Sequence, residues 1–307
     1  MRRFPILLLA GLIAISGHSA IGCIWVPGTT QEGKRKMVTG AKAAQRLQPY
    51  LRKNPAHEGE RLLRQFQGAT NFEERVSYGA GLIYAGKYDE AIKLLVALEA
   101  EKPGVYYTAA NLGTAYELAG NNLDALKWIN ESIARNPNSH QGTEWVHVKI
   151  LEAKVAAATI PNYFNLHTIL DLKPPLKLTE STIISTGNIP LPAKEIRTAI
   201  QYQLQERLEF VKSTDPVVAS LLFDYAVLEA ALGTLESAKS LLVLAKEFET
   251  SPGRIDSLIA QYDRIIRRAL IWFWFKVILA ISAPIALLVY FYKRGWFGLG
   301  RRSAKRT

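Results

Sequence analysis

The stretch AGKYDEAIKLL, Ala85 to Leu95, returns further along as AGNNLDALKWI, Ala119 to Ile129. Sliding the chain along itself by the same offset sets Gly79 on Gly113, Gly86 on Gly120, Ala91 on Ala125 and Pro103 on Pro137. A fixed period of this length is the mark of stacked helical hairpins, since one hairpin cannot bury its apolar face alone. Each matched residue has a physical role in such a unit. Gly79 and Gly113 fall mid-helix, where only a minimal side chain lets a second helix come close. Gly86 and Gly120 end the first helix in a left-handed conformation. Ala91 and Ala125 let the second helix pack back on the first, and Pro103 and Pro137 close the unit.

The pattern resembles the tetratricopeptide repeat family, and the second unit carries the resemblance most fully. It holds Asn111-Leu112-Gly113, Ala115-Tyr116, Gly120, Ala125, Ser132 and Asn136-Pro137. The first unit departs from the family at Leu82, where an aromatic is usual, and at Leu98, where a small residue is usual. A weaker unit spans 219–252, with Ala226, Gly233, Ala238 and Ala245 in order. Together the matches cover about a third of the chain. The resemblance implies a concave surface lined by the first helices, and therefore a protein-binding groove of Val76, Ala80, Ile83, Tyr84, Tyr107, Ala110, Thr114 and Glu117. Family members that clamp acidic chaperone tails place lysine and asparagine there. Here the positions are mostly small or apolar, which favours an apolar or helical peptide, or a packed neighbouring element.

Around the repeats the expected fold is all-α: a repeat-like helical-hairpin solenoid with an irregular Pro-rich insertion and one C-terminal transmembrane helix. Helical repeats run over 41–158, with units at 72–105 and 106–139, and resume over 194–268. Gly142 to Ala158 reads as a helix. In Lys194 to Val211, Ile196, Ile200, Leu204, Leu208 and Val211 form one stripe at helical spacing. Between these, residues 159–193 contain Pro161, Pro174, Pro175, Pro190 and Pro192, which break the period. Long insertions of this kind often carry function, and a solvated loop is the alternative. Residues 23–40, with Pro27-Gly28 and Gly33, read as an extended tether.

The two ends address a membrane. Arg2 and Arg3, then the apolar run Pro5 to Ile15, then small residues give the layout of a secretory signal peptide over 1–22. Ala20-Ile21-Gly22 before Cys23 resembles the lipobox of bacterial lipoproteins, which makes Cys23 a possible lipidation site. Cys23 is also the one cysteine, so no intrachain disulfide can form. Ala269 to Tyr292 carries one charge, Lys276, in an otherwise apolar run. The run is long enough to span a bilayer and is flanked by aromatic clusters at Trp272 to Phe275 and Tyr290 to Trp296. Of the formal charge of +11, Arg2, Arg3, Lys293, Arg294, Arg301, Arg302, Lys305 and Arg306 supply 8, leaving +3 for all else. The excess is a topology signal rather than a nucleic-acid-binding face. The expected placement is the bacterial inner membrane, with the repeats outside the cytoplasm and the basic tail at 293–307 inside.

Chemistry is sparse. His140, Glu144 and His147 share a helical face if the helix begins early enough, a spacing compatible with metal ligation, though not as HExxH. The segment HQGTEWVHVKILEAK resembles one found in bacterial membrane-anchored repeat proteins. No phosphate-binding glycine loop, serine elbow or cysteine nucleophile occurs. The leading expectation is a non-catalytic, membrane-anchored extracytoplasmic scaffold that binds a protein or peptide, with no cofactor and no metal. The alternative is a metal-binding protein or enzyme using the 159–193 insertion and the His140–His147 face.

Overall fold

The computed structural model describes residues 25–186, 189–212, 214–249, 253–294 and 296. The expected signal peptide, Cys23 and most of the basic tail lie outside the described residues.

The chain is mostly helical. Helices α1 (Ala43–Leu51) and α2 (Pro55–Gln65) lead into two hairpins, α3 (Phe72–Tyr84) with α4 (Tyr88–Glu101), and α5 (Tyr106–Leu118) with α6 (Asn122–Arg135). Both first helices have 13 residues and both second helices 14, so the second hairpin reproduces the first at a constant offset. The termini repeat as well. Gly86 and Gly120 have φ of +75° and +85°. Past them, Lys87 N–H donates to the Leu82 carbonyl and Asn121 N–H to the Tyr116 carbonyl, both at 2.9 Å. These bonds satisfy carbonyls that a helix end would otherwise leave bare. A Cβ added to Gly113 would lie 2.4 Å from Ile129 Cδ1, and one added to Gly79 would lie 3.0 Å from Leu95 Cδ2. Glycine is therefore what allows α6 and α4 to seat on their partners.

A turn of 3-10 helix, Ser139–Gly142, precedes α7 (Glu144–Ala157). The insertion follows. It is not irregular throughout: it holds the short α8 (Tyr163–Leu166) and an antiparallel hairpin of β3 (Ile183–Thr186) with β4 (Ile189–Pro192). Asp224 pins it from below, accepting hydrogen bonds from Thr168 Oγ1 at 2.7 Å and from the backbone N–H groups of Leu170 and Leu172 at 2.7 and 3.3 Å.

Helix α9 (Ala193–Phe210) buries the expected stripe, with Ile196, Ile200, Leu204 and Leu208 fully enclosed. Helix α10 (Pro216–Leu232) pairs with α11 (Leu235–Lys246), and every residue from Val217 to Ala230 is buried. A helix with apolar residues on all sides belongs in a core, and α10 is the centre of the larger hydrophobic cluster. Unlike α3 and α5, it therefore presents no open face.

The segment expected as an extended tether forms a hairpin, β1 (Trp25–Thr29) with β2 (Arg35–Thr39). It docks on α11, where Glu236 accepts from Thr29 N–H at 2.7 Å and pairs with Arg35 at 3.0 Å. Periodicity gives no sign of this contact, which joins positions far apart in the chain. The final helix, α12 (Gly253–Lys293), is longer than the expected span. Ile255, Leu258 and Tyr262 on its first part are buried, and Lys239 of α11 pairs with Asp263 at 2.6 Å. Its remaining part is apolar and exposed, from Ile271 through Tyr292. By length and composition it can cross a membrane.

Candidate functional site

Helices α3, α5 and α7 and the C-terminal half of α9 enclose an open cleft of about 260 Å³. Of the expected groove residues, Ala80, Ile83, Tyr84, Ala110, Thr114 and Glu117 line it. Val76 and Tyr107 do not. Val76 is instead buried in the core that α3 shares with α4 and α5. Tyr107 packs its ring 6.5 Å from that of Phe72. The opposite wall is α9, whose Phe210 ring lies 4.9 Å from that of Tyr84.

The floor is a buried ionic network. Glu117 of α5, 6% exposed, accepts from His147 Nε2 at 2.7 Å, Arg207 Nη2 at 2.8 Å and Lys154 Nζ at 3.0 Å. One carboxylate thus ties α5 to α7 and α9. Glu144 faces His147 Nδ1 at 3.2 Å through one oxygen and contacts His140 Nδ1 through the other. Glu206 of α9 stands 3.6 Å from His140 Nδ1. Gln203 donates to Thr143 Oγ1 at 3.1 Å.

The helix begins too late for a shared helical face: α7 starts only at Glu144, so His140 is not on it. It sits in the preceding turn, where His140, Gln141 and Gly142 all have positive φ, of 48°, 59° and 71°. Such backbone is uncommon outside glycine. Here it folds the chain back so that the imidazole faces the first turn of α7.

The electrostatics follow from this packing. Burial works against charge on Glu117, yet Arg207 and His147 outweigh it and hold the carboxylate well below its ordinary range. Burial likewise opposes charge on Glu144, but hydrogen bonds from His140 and His147 bring it down to about 2. For His147, burial would strip the proton, and the carboxylates, Glu117 foremost, instead push it up to about 9. Glu206 has its pKa raised, chiefly by burial.

His147 therefore links stability to pH with a definite sign. Its contribution is complete below the ordinary value of 6.5 and is lost as pH rises through about 9. Glu144 acts oppositely: its contribution is present above the ordinary 4.5 and is lost as pH falls toward 2. Unfolding free energy is expected to fall by on the order of 2 kcal/mol as pH rises through the His147 range. Denaturation of the full chain in detergent across that range checks this. A His147→Gln chain should lack that part of the slope.

Sequence reasoning named His140, Glu144 and His147 but missed Glu206, Arg207 and Phe210. The available signal was that α9 places Gln203, Glu206, Arg207 and Phe210 off its apolar stripe at helical spacing, a second patterned face.

Fold and site together define a mostly helical chain with a cleft over an ionic floor and one long apolar C-terminal helix. No protein-family model matches the chain, and no curated protein matches it significantly.

Proposed function

We propose that the chain is a membrane-anchored helical-repeat scaffold of the tetratricopeptide type, non-catalytic, whose cleft receives a segment of another protein. The observation that carries this reading is the cleft itself. Its walls are small and apolar, at Ala80, Ile83, Ala110 and Phe210, while its charged floor is already paired internally. A surface of that kind favours an apolar side chain of a helix or extended segment over a highly charged tail. The contact of Phe210 with Tyr84 illustrates the fit: an aromatic side chain of the same chain already rests on one wall. We further place the helical domain outside the cytoplasm of a bacterium and the basic tail inside, a reading supported by the export-signal layout of residues 1–22 and the apolar α12.

A photo-crosslinking residue at Ala80, introduced into the full chain in native membranes, tests the proposal. A discrete adduct of higher mass should form from Ala80 and not from exposed Lys93 on the outer helix α4. Ala110→Trp, which fills the cleft, should reduce it at least tenfold. No adduct, or equal adducts at Ala80 and Lys93, would sink the reading.

A further inference from the structure

We propose that His140, Glu144 and Glu206 form a binding site for a first-row divalent cation, zinc foremost, at the edge of the cleft. The three side chains come from three different places: the left-handed turn, the first residue of α7, and α9, well beyond both in the chain. One ligand atom of each lies within 4.8 Å of the others. Around a tetrahedral zinc, ligand atoms about 2.0–2.1 Å from the metal sit about 3.4 Å apart. The 3.6 Å between His140 Nδ1 and Glu206 Oε2 is close to that spacing, whereas His140 Nδ1 and Glu144 Oε1 are in direct contact and must part for an ion to enter between them. An imidazole with two carboxylates suits zinc, manganese or iron, whereas magnesium and calcium prefer oxygen alone.

The neighbours are arranged as a metal site requires. Ligating carboxylates are commonly oriented by a second hydrogen bond, and Glu144 has one, from His147 Nδ1 at 3.2 Å. His147 is fixed in turn by Glu117 at 2.7 Å. The nearby cations Arg207 and Lys154 are both bound to Glu117, which keeps their charge on that carboxylate. All three ligands line the cleft, so a fourth coordination position is reachable from it and would take water or a donor atom of a bound molecule.

The site stands independently of the peptide-binding reading. It is tested on the full chain, purified in detergent, stripped with a chelator and titrated with zinc alone. The expected result is one zinc per chain by elemental analysis, with affinity at least tenfold weaker in His140→Asn and Glu206→Gln. Both residues are partly exposed, so the variants should keep the wild-type circular dichroism. A readout without substitution is zinc protection of His140 against diethyl pyrocarbonate, located by mass spectrometry, with exposed His57 as the unprotected control. No zinc bound by the wild type, equal affinity in both variants, or full modification of His140 under saturating zinc would each overturn the proposal.

Discussion

Replacing Glu117 with Gln is expected to lower the unfolding free energy by about 3–5 kcal/mol, the largest effect of any single polar substitution proposed for this chain. Glutamine keeps the shape but cannot balance the charge of His147, Arg207 and Lys154, which all contact this one side chain. Arg207 and His147 are themselves only 11% exposed along their side chains, so water cannot make good the loss. Denaturant unfolding of the full chain in detergent measures the effect. Adding Arg207→Leu to Glu117→Gln should recover part of it, because the second change removes the stranded cation. A loss under about 1 kcal/mol would mean that the network is solvated like a surface pair.

Asp224→Ala is expected to cost about 3 kcal/mol, by stranding buried donors, and to release the insertion from α10. Asp224 is fully buried and is the common acceptor for Thr168 Oγ1 and the Leu170 and Leu172 N–H groups. Each donor left without a partner carries a penalty of about 1–3 kcal/mol before relaxation. Burial raises the Asp224 carboxyl to about 7 although its donors favour the charged form. Asp224→Asn, which keeps one acceptor oxygen, should therefore be milder. Limited proteolysis followed by mass spectrometry reads the local consequence: new cuts should cluster within 159–193 in the alanine variant. An unchanged cleavage pattern would show that Ser220, which accepts from Ile169 N–H at 3.0 Å, holds the segment by itself.

The features legible in the sequence were those set by local rules. The repeat period placed α3 to α6 because glycine, alanine and proline do mechanical work at fixed offsets. The stripe at Ile196, Ile200, Leu204 and Leu208 placed the buried face of α9, and the apolar run placed the end of α12. The illegible features depend on partners far along the chain. Glu236 gathers the β1–β2 hairpin, Asp224 gathers the insertion, and Arg207 reaches back to Glu117 across α6, α7, α8 and the β3–β4 hairpin. A carboxylate carries no local mark of which distant donors it will meet. The groove suffered from the same limit: its first wall followed from the repeat, whereas α9 as the facing wall did not.

The last helix has a mechanical consequence. It runs 41 residues, a rod about 60 Å long, with its near end clasped by α11 and its far end bare and greasy. Pro284 lies in the bare portion and leaves the join between the two portions unbroken. If lipid grips the bare portion, a change in tilt of its part ahead of Pro284 leans the head with it, carrying the mouth of the cleft nearer to or farther from the bilayer surface.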